Sequence, residues 1–189
     1  MDNPRVRRPI LFVTSRAEKA EEASRLGFAV ERIDLDLPEP QELDPDRIVL
    51  SKARAAWERL ARPVLVEDSG LSIRAWGGFP GALVKWLEKS AGVAAIPRML
   101  ASFEDRSATA VCVVGYFDGD RLVSGRGECA GEIAGAPRGS TGFGWDSIFI
   151  PEGSNRTFAE LGPEAKDRIS HRRRAWEALA ARMPQGVLA

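Results

Sequence analysis

Several residue types are scarce in this 189-residue sequence, and each shortage excludes a class of protein. The two cysteines, Cys112 and Cys129, lie in strand-like segments without the spacing of metal ligands, so we expect buried thiols rather than a disulfide or a zinc site. No apolar run is long enough to span a membrane, and the apolar stretch after residues 1–8 is too short for a signal peptide. We therefore expect a cytoplasmic protein that does not contact membranes.

Charge of neither sign is in excess. The 27 basic residues balance the 27 acidic ones, which argues against a general binder of DNA or RNA. Lysine is especially rare, because only five of the basic residues are lysines: Lys19, Lys52, Lys85, Lys89 and Lys166. Since arginine supplies most of the positive charge, each lysine is a candidate for binding phosphate as a compact point charge, although chance explains any single one equally well.

The hydrophobic pattern predicts a mixed α/β protein of one domain, with or without two lobes. Strand-like segments cover residues 9–14, 28–35, 63–73, 107–117, 120–134 and 147–150. Helix-like segments cover residues 15–27, 46–61, 82–90 and 94–103, and a last helix begins at either Pro163 or Ser170. A hairpin turn between the two long late strands adds an antiparallel part to the sheet. We also expect Ser15 and Glu18 to form a capping box.

Two segments place polar groups next to strands. "FVTSRAEK" runs from a strand into a helix, where unpaired N–H groups and the helix dipole would bind an anion within reach of Lys19. The glycine-rich P-loop of ATPases is absent. In "LVEDSGL", Glu67 and Asp68 follow a buried run, and two acids at the carboxyl end of a strand suit Mg²⁺ or a general base. The alternative is a solvated strand end at which Asp68 caps a turn.

Two later segments have the residue types that recognise a nucleobase. Phe143 and Trp145 lie among glycines beside Asp146, so aromatic faces and an acid are available to stack on a base and bind its edge. The alternative is a pair of core aromatics with a turn acid. In "RISHRRRAW", the only histidine, His171, precedes Arg172, and both can donate hydrogen bonds to carbonyl oxygens. The alternative there is a solvated basic helix.

In their order along the chain, these segments closely resemble the Ham1 family, the inosine triphosphate pyrophosphatases, also called XTP/dITP pyrophosphatases. The matching motifs are "VTSRAEK", "LPE", "LSKA", "VEDSGL", "GGFPGALVKW", "GRGECAGEI", "PRGSTGFGWDSIF" and "EAKDRISHRRRA". The resemblance runs from residue 11 to the last helix. Each fragment is weak alone, but the ordered set is highly specific.

The resemblance implies an ITPase-like α/β fold, in which a mixed β-sheet is flanked by helices and carries an antiparallel second lobe. It implies one domain over residues 1–189, with the active-site cleft between two lobes. It also implies hydrolysis of nonstandard purine nucleoside triphosphates (ITP, dITP and XTP) to the monophosphate and pyrophosphate. Such enzymes cleanse the nucleotide pool, use Mg²⁺, with Mn²⁺ as an alternative metal, and usually form homodimers.

The roles that the family implies fall on three sets of residues in this chain. Phosphate would be bound by Thr14, Ser15, Arg16, Lys19, Lys52, Lys85 and Lys166. Mg²⁺ would be bound by Glu39 and Asp68, and Asp68 would also be the catalytic base for the attacking water. The rest of the substrate would contact Ser69, Gly70, Phe143, Gly144, Trp145, Asp146, Ser170, His171 and Arg172. Fixed donors at the last two positions would accept a 6-oxo purine and leave adenine unpaired.

The chain departs from the family pattern at two places. The family usually has Thr-Gly-Asn where this chain has Thr14-Ser15-Arg16, which changes how the backbone approaches phosphate but adds a guanidinium group. The family commonly has Lys-Asn where this chain has Lys166-Asp167, and an inward-pointing acid would weaken phosphate binding.

Other interpretations stay open beside the Ham1 one. A Maf-type pyrophosphatase would have a similar fold and a different base preference. A nucleotide-binding regulator would bind the same ligands without turnover. A nucleic-acid-binding module built on Arg172–Arg174 is disfavoured by the zero net charge.

Overall fold

A computed structural model of the chain describes residues 9–183. Residues 1–8, on which the expectation about a signal peptide partly depends, lie outside the described residues, as do residues 184–189. None of the helices within residues 9–183 is long and apolar enough to cross a membrane.

The predicted elements are present, and a two-residue strand and a short helix are added to them. The strands are β1 (Ile10–Val13), β2 (Val30–Ile33), β3 (Val64–Ile73), β4 (Pro80–Gly81), β5 (Ser107–Phe117), β6 (Leu122–Ile133) and β7 (Phe149–Pro151). The helices are α1 (Ala17–Arg25), α2 (Pro45–Leu60), α3 (Val84–Ala91), α4 (Ala95–Met99), α5 (Phe158–Leu161), α6 (Pro163–Ile169) and α7 (His171–Ala180). Short 3-10 turns occupy Arg74–Trp76 and Gly144–Ser147.

The strands form one mixed sheet in the order β2-β1-β3-β5-β6-β7, with β4 paired to part of β3. Strand β1 is parallel to β2 and β3, whereas β3, β5, β6 and β7 pair in antiparallel fashion. Because β5 and β6 are joined by a tight hairpin, their register runs without interruption along the whole of β5. The structure thus confirms the mixed α/β fold and its antiparallel part.

Helices cover both faces of the sheet, which explains why its central strands are apolar at successive positions. Phe12 and Leu65 pack against α1 and α7 on one face. Leu11 and Val64, their neighbours in the sequence, pack against α2 on the other face. The buried segment "PILFVT" is therefore a central strand, and the residues that follow it are carried to the edge of the parallel part of the sheet.

The strand predicted over residues 63–73 is confirmed as β3, but the expectation that Glu67 and Asp68 end it is wrong. The strand continues to Ile73, because its antiparallel partner β5 pairs with it as far as Ala108. Its parallel partner β1 stops earlier, at the pair Val13 and Val66, one residue before Glu67. The acids consequently lie at the carboxyl end of the parallel pairing but inside the longer strand.

The starts of three helices can be compared with the predictions from the sequence. The capping box of Ser15 and Glu18 is absent, because α1 begins at Ala17 and Arg16 occupies the cap position without a side-chain hydrogen bond. The C-terminal segment is two helices, α6 and α7, with Ser170 in an extended conformation between them, so both predicted starting points exist.

The two cysteines are free and buried, as predicted.

Candidate active site

A cleft with a volume of about 580 Å³ lies where the β1–α1 junction, α3, the loop before β7 and the start of α7 meet. Most of the predicted site residues line it: Thr14, Ser15, Arg16, Lys19, Glu39, Lys52, Asp68, Ser69, Lys85, Phe143, Gly144, Trp145, Asp146, His171 and Arg172. Three do not, namely Gly70, Lys166 and Ser170. The fold therefore assembles one site from segments that are far apart in the sequence.

One end of the cleft is lined by lysines that are held by acids. The ammonium group of Lys52 donates to Glu39 Oε1 at 2.9 Å and to the carbonyl oxygen of Glu67 at 3.1 Å. It lies 3.6 Å from Asp68 Oδ1. Burial disfavours the charged form of Lys52, but Asp68 and Glu39 outweigh it and raise its pKa. Lys85 reaches the other oxygen of Glu39 at 3.5 Å. This end of the cleft is suited to a polyanion.

Asp68 is a buried carboxylate with an unused acceptor. Its Oδ2 atom has no hydrogen-bond partner within the described structure. Burial raises the pKa of Asp68, and the charges of Lys52 and Lys19 oppose this only in part. A carboxyl group with a raised pKa and a free oxygen is suited to accept a proton or to ligate a cation.

The other end of the cleft is aromatic and is surrounded by cations. Lys166 Nζ lies 4.9 Å from the centroid of the Phe143 ring, and the guanidinium carbons of Arg172 and Arg16 lie at 5.4 and 5.7 Å. The backbone N–H of Phe143 donates to Asp146 Oδ2 at 3.0 Å, which holds the loop in place. Cations this close to an aromatic face stabilise its position. Lys166 thus lies beside the aromatic end, and its contact with phosphate stays a prediction.

His171 is packed between two aromatic rings. Its ring centroid is 5.2 Å from that of Trp145 and 6.0 Å from that of Phe158. Burial first, and then the charges of Arg172 and Lys166, lower its pKa well below the usual 6.5. Its Nδ1 atom has no hydrogen-bond partner within residues 9–183. At neutral pH it is therefore a neutral imidazole with both donor and acceptor capacity.

Glu22 lies beneath the aromatic end and was not predicted as a site residue. Lys166 Nζ donates to Glu22 Oε1 and to Asp146 Oδ2, each at 2.7 Å, and Arg172 Nη1 donates to Glu22 Oε2. Burial alone would raise the pKa of Glu22, but Arg172 and Lys166 lower it to about 2. The only sequence signal was its spacing of three residues from Lys19 on one helix.

Glu67 occupies a second buried acidic position behind the cleft. Arg172 Nε donates to both of its carboxylate oxygens, at 3.1 and 3.0 Å, and Arg172 Nη2 donates to Oε1 at 3.0 Å. Trp176 Nε1 donates to Oε2 at 3.3 Å, and Lys19 Nζ lies 3.2 Å from Oε1. Burial would raise its pKa, but Arg172 and Lys19 lower it to about 2. Glu67 is therefore an ionised anchor and not a solvated strand end.

Two glycines of β6 set the position of α7 and hence of the histidine and arginine at its start. A Cβ atom on Gly127 would lie 2.2 Å from the carbonyl oxygen of His171, and one on Gly125 would lie 2.2 Å from the backbone nitrogen of Leu179. Real Cβ atoms do not approach other atoms so closely, so only glycine admits this contact. The motif "GRGECAGEI" thereby brings the helix backbone directly onto the sheet.

The two departures from the family pattern have defined positions. Arg16 Nη2 lies 3.7 Å from Glu88 Oε2, so its guanidinium group joins the β1–α1 junction to α3 across the cleft. Asp167 accepts a hydrogen bond from Arg25 Nε at 2.7 Å and does not line the cleft. The acid at position 167 is thus neutralised by a partner outside the cleft.

The cleft also contains an exposed tryptophan, Trp86, that the sequence did not single out. Trp86 lines the cleft and is 55% exposed. The ammonium groups of Lys85 and Lys89 lie 5.6 and 5.1 Å from the nearest Trp86 ring centre. The available signal in the sequence was the spacing of three residues between Trp86 and Lys89 on the predicted helix.

The chain matches the Ham1 family over residues 10–182. It is 47% identical over 176 residues to a dITP/XTP pyrophosphatase of Methanopyrus kandleri, covering 90% of this chain and 94% of that protein. It is 40% identical over 176 residues to an inosine triphosphate pyrophosphatase of Yarrowia lipolytica, covering 90% and 93%. A solved Ham1 protein from Coxiella burnetii superposes with a TM-score of 0.80 at 30% identity, covering 92% and 96%. The chain therefore belongs to the Ham1 family.

Proposed function

We propose that this protein hydrolyses ITP, dITP and XTP to the nucleoside monophosphate and pyrophosphate. The observation that carries the proposal is the continuity of the cleft, in which lysines at one end and aromatic rings at the other line a single volume of about 580 Å³. A triphosphate needs the first environment and a purine needs the second. The similarity to proteins named as pyrophosphatases of these nucleotides supports the proposal.

The chemistry follows from the position of Asp68. In the proposed reaction Asp68 accepts a proton from a water molecule, whose oxygen attacks the α-phosphorus. The bond from that phosphorus to the oxygen bridging to the β-phosphate breaks, and pyrophosphate leaves with the electron pair. Lys19, Lys52 and Lys85 line the same cleft and would stabilise the negative charge of the triphosphate and of the leaving group.

The acids at this end fit Mg²⁺, which binds one or two carboxylates together with substrate phosphates. Glu39 and Asp68 are both in contact with Lys52, and Asp68 Oδ2 is a free acceptor. Within residues 9–183 no group of three or more His, Cys, Asp and Glu side chains forms a metal site by itself, so the nucleotide would supply further ligands. A bound Mg²⁺, or Mn²⁺ in its place, would neutralise phosphate charge.

Base selectivity would come from His171 and Arg172. Arg172 has five N–H donors, and its Nε, Nη1 and Nη2 atoms each use one on Glu67 or Glu22, which leaves two. The oxygen at position 6 of hypoxanthine or xanthine would accept from such a donor, whereas the amino group of adenine would not. A buried mismatch of this kind gives discrimination of about 10⁴.

Three further parts of the proposal rest on the family resemblance. We infer a homodimer, in which exposed Phe79 and Met99 would supply apolar surface for a second subunit. Sedimentation at several concentrations would test this. The single two-lobed domain and the cytoplasmic location stay predictions from the sequence.

The experiment that tests the proposal is pyrophosphate release with Mg²⁺ from ITP, XTP, dITP, GTP, ATP and TTP. We expect turnover of the first three and none of ATP or TTP, and a loss of at least about 10²-fold in Asp68→Asn, as for other general bases. GTP also carries an oxygen at position 6, so its rate measures discrimination at the 2-amino group. Asp120→Asn, in the exposed β5–β6 hairpin, is the matched control and should match the wild type. Turnover of TTP would favour a Maf-type enzyme, and tight binding without turnover would favour a regulator.

A further inference from the structure

One buried carboxylate, that of Glu67, contacts residues of both ends of the cleft. Its Oε1 atom is 3.2 Å from Lys19 Nζ, and Lys19 lines the cleft, where its charge partly offsets the rise in the pKa of Asp68 at the lysine end. The same atom accepts from Arg172 Nε at 3.1 Å and from Nη2 at 3.0 Å, and Arg172 belongs to the aromatic end. The two cations therefore share the Oε1 atom, although Arg172 also donates to Oε2 and to Glu22.

The backbone of Glu67 adds a third connection. Its carbonyl oxygen accepts from Lys52 Nζ at 3.1 Å, and Lys52 in turn holds Glu39. Glu67 is 1% exposed and does not itself line the cleft, so it touches no ligand. Its neighbour Asp68 points to the opposite side of β3, as successive strand residues do, and reaches the cleft directly.

We propose that Glu67 is a positioning residue that couples recognition of the base by Arg172 to the placement of Lys19, which would bind the phosphates. This inference rests on the proposed function. Because Lys19 and Arg172 share Oε1, a base that leaves Arg172 badly paired shifts the carboxylate and with it Lys19. Discrimination between hypoxanthine and adenine is then expressed partly in kcat, at the reacting phosphate, and not only in KM.

The test compares kcat and KM for ITP and ATP in wild type, Glu67→Gln and Glu67→Asp. The glutamine keeps the shape but replaces one acceptor oxygen by a donor, and the aspartate keeps the charge but is too short to hold both cations as Glu67 does. We expect the ratio of kcat/KM for ITP to that for ATP to fall about tenfold in Glu67→Gln, mostly through a lower kcat for ITP. A tenfold change lies within the range of coupling energies measured for residues of one hydrogen-bond network. Glu67→Asp should restore part of the ratio.

Trp176→Phe is the matched control. It removes the indole donor to Oε2 of the same carboxylate but leaves Lys19 and Arg172 in contact with it. The ITP-to-ATP ratio should stay within about twofold of wild type in this variant, even if its stability falls. A drop in the ratio equal to that of Glu67→Gln would attribute the effect to packing and overturn the coupling.

A double-mutant cycle with Lys19→Met completes the test. The effects of Glu67→Gln and Lys19→Met on kcat for ITP should be strongly non-additive if the two residues act as one unit. Equal losses for ITP and ATP in Glu67→Gln, or additive effects in the cycle, would show a merely structural role and overturn the inference. A wild-type protein that turns over no nucleotide would instead overturn the proposed function, and this inference with it.

Discussion

The buried position of Glu22 gives a quantitative prediction about stability and pH. Arg172 and Lys166 lower its pKa from 4.5 to about 2 against the effect of burial. That difference, at 1.36 kcal/mol per pH unit, corresponds to about 3 kcal/mol of folding free energy. Because the pKa is lowered in the folded state, this stabilisation is present above pH 4.5 and is lost as the pH falls towards 2.

Urea unfolding at pH 7 and at acid pH would measure this contribution. Glu22→Gln should lower the free energy of unfolding by about 3 kcal/mol at pH 7, and the difference from wild type should shrink to about half of that at pH 3. The control is Glu21→Gln, because Glu21 is the exposed neighbour on the same helix. A loss that does not change between pH 7 and pH 3, or an equal loss in Glu21→Gln, would refute the electrostatic explanation.

Three other substitutions test separate contacts. Gly127→Ala forces a Cβ atom against the carbonyl oxygen of His171 and should lower the free energy of unfolding by about 2 kcal/mol in a urea titration. The control is Gly135→Ala, whose Cβ atom has no other atom within 4 Å and which should change that free energy by less than about 0.5 kcal/mol. Phe143→Leu should raise KM for ITP about tenfold, through lost stacking, without changing inhibition by tripolyphosphate; an unchanged KM would exclude stacking. Arg16→Asn should change stability by less than about 1 kcal/mol, because its pair with Glu88 is partly exposed, and should raise KM for ITP if Arg16 reaches phosphate.

The parts of the fold that depend on local pattern were predictable from the sequence. Strand β5 is a mostly apolar run, strand β6 alternates between buried and exposed positions, and a short turn joins them, so both their existence and their pairing follow from neighbouring residues. The position of Glu67 and Asp68 inside β3 was not predictable in this way, because they stay in the strand only through pairing with β5, which is distant in the sequence. The start of α1 was missed by two residues because Ser15 and Glu18 match a capping box that the chain does not form.

The candidate site shows the same division. The residues that line the cleft carry chemical types that suit nucleotides, so their motifs were visible in the sequence. The charges behind the cleft were not, since Glu22 pairs with Lys166 and Arg172 across 144 and 150 residues of chain. A buried ionic cluster depends on which helices the fold brings together, and no local pattern records that. The glycines of β6 were visible as a motif, but the reason for them is the close approach of the α7 backbone, which only the folded structure shows.

The measurement that tests the proposed function most directly is the ratio of kcat/KM for ITP to that for ATP, with the products separated. We expect IMP and pyrophosphate as the products of ITP and a ratio of about 10⁴, because the donors of His171 and Arg172 suit an oxygen at position 6 of the purine. Release of inorganic phosphate and IDP, or equal rates with ATP, would contradict both the cleavage position and the role of the aromatic end of the cleft.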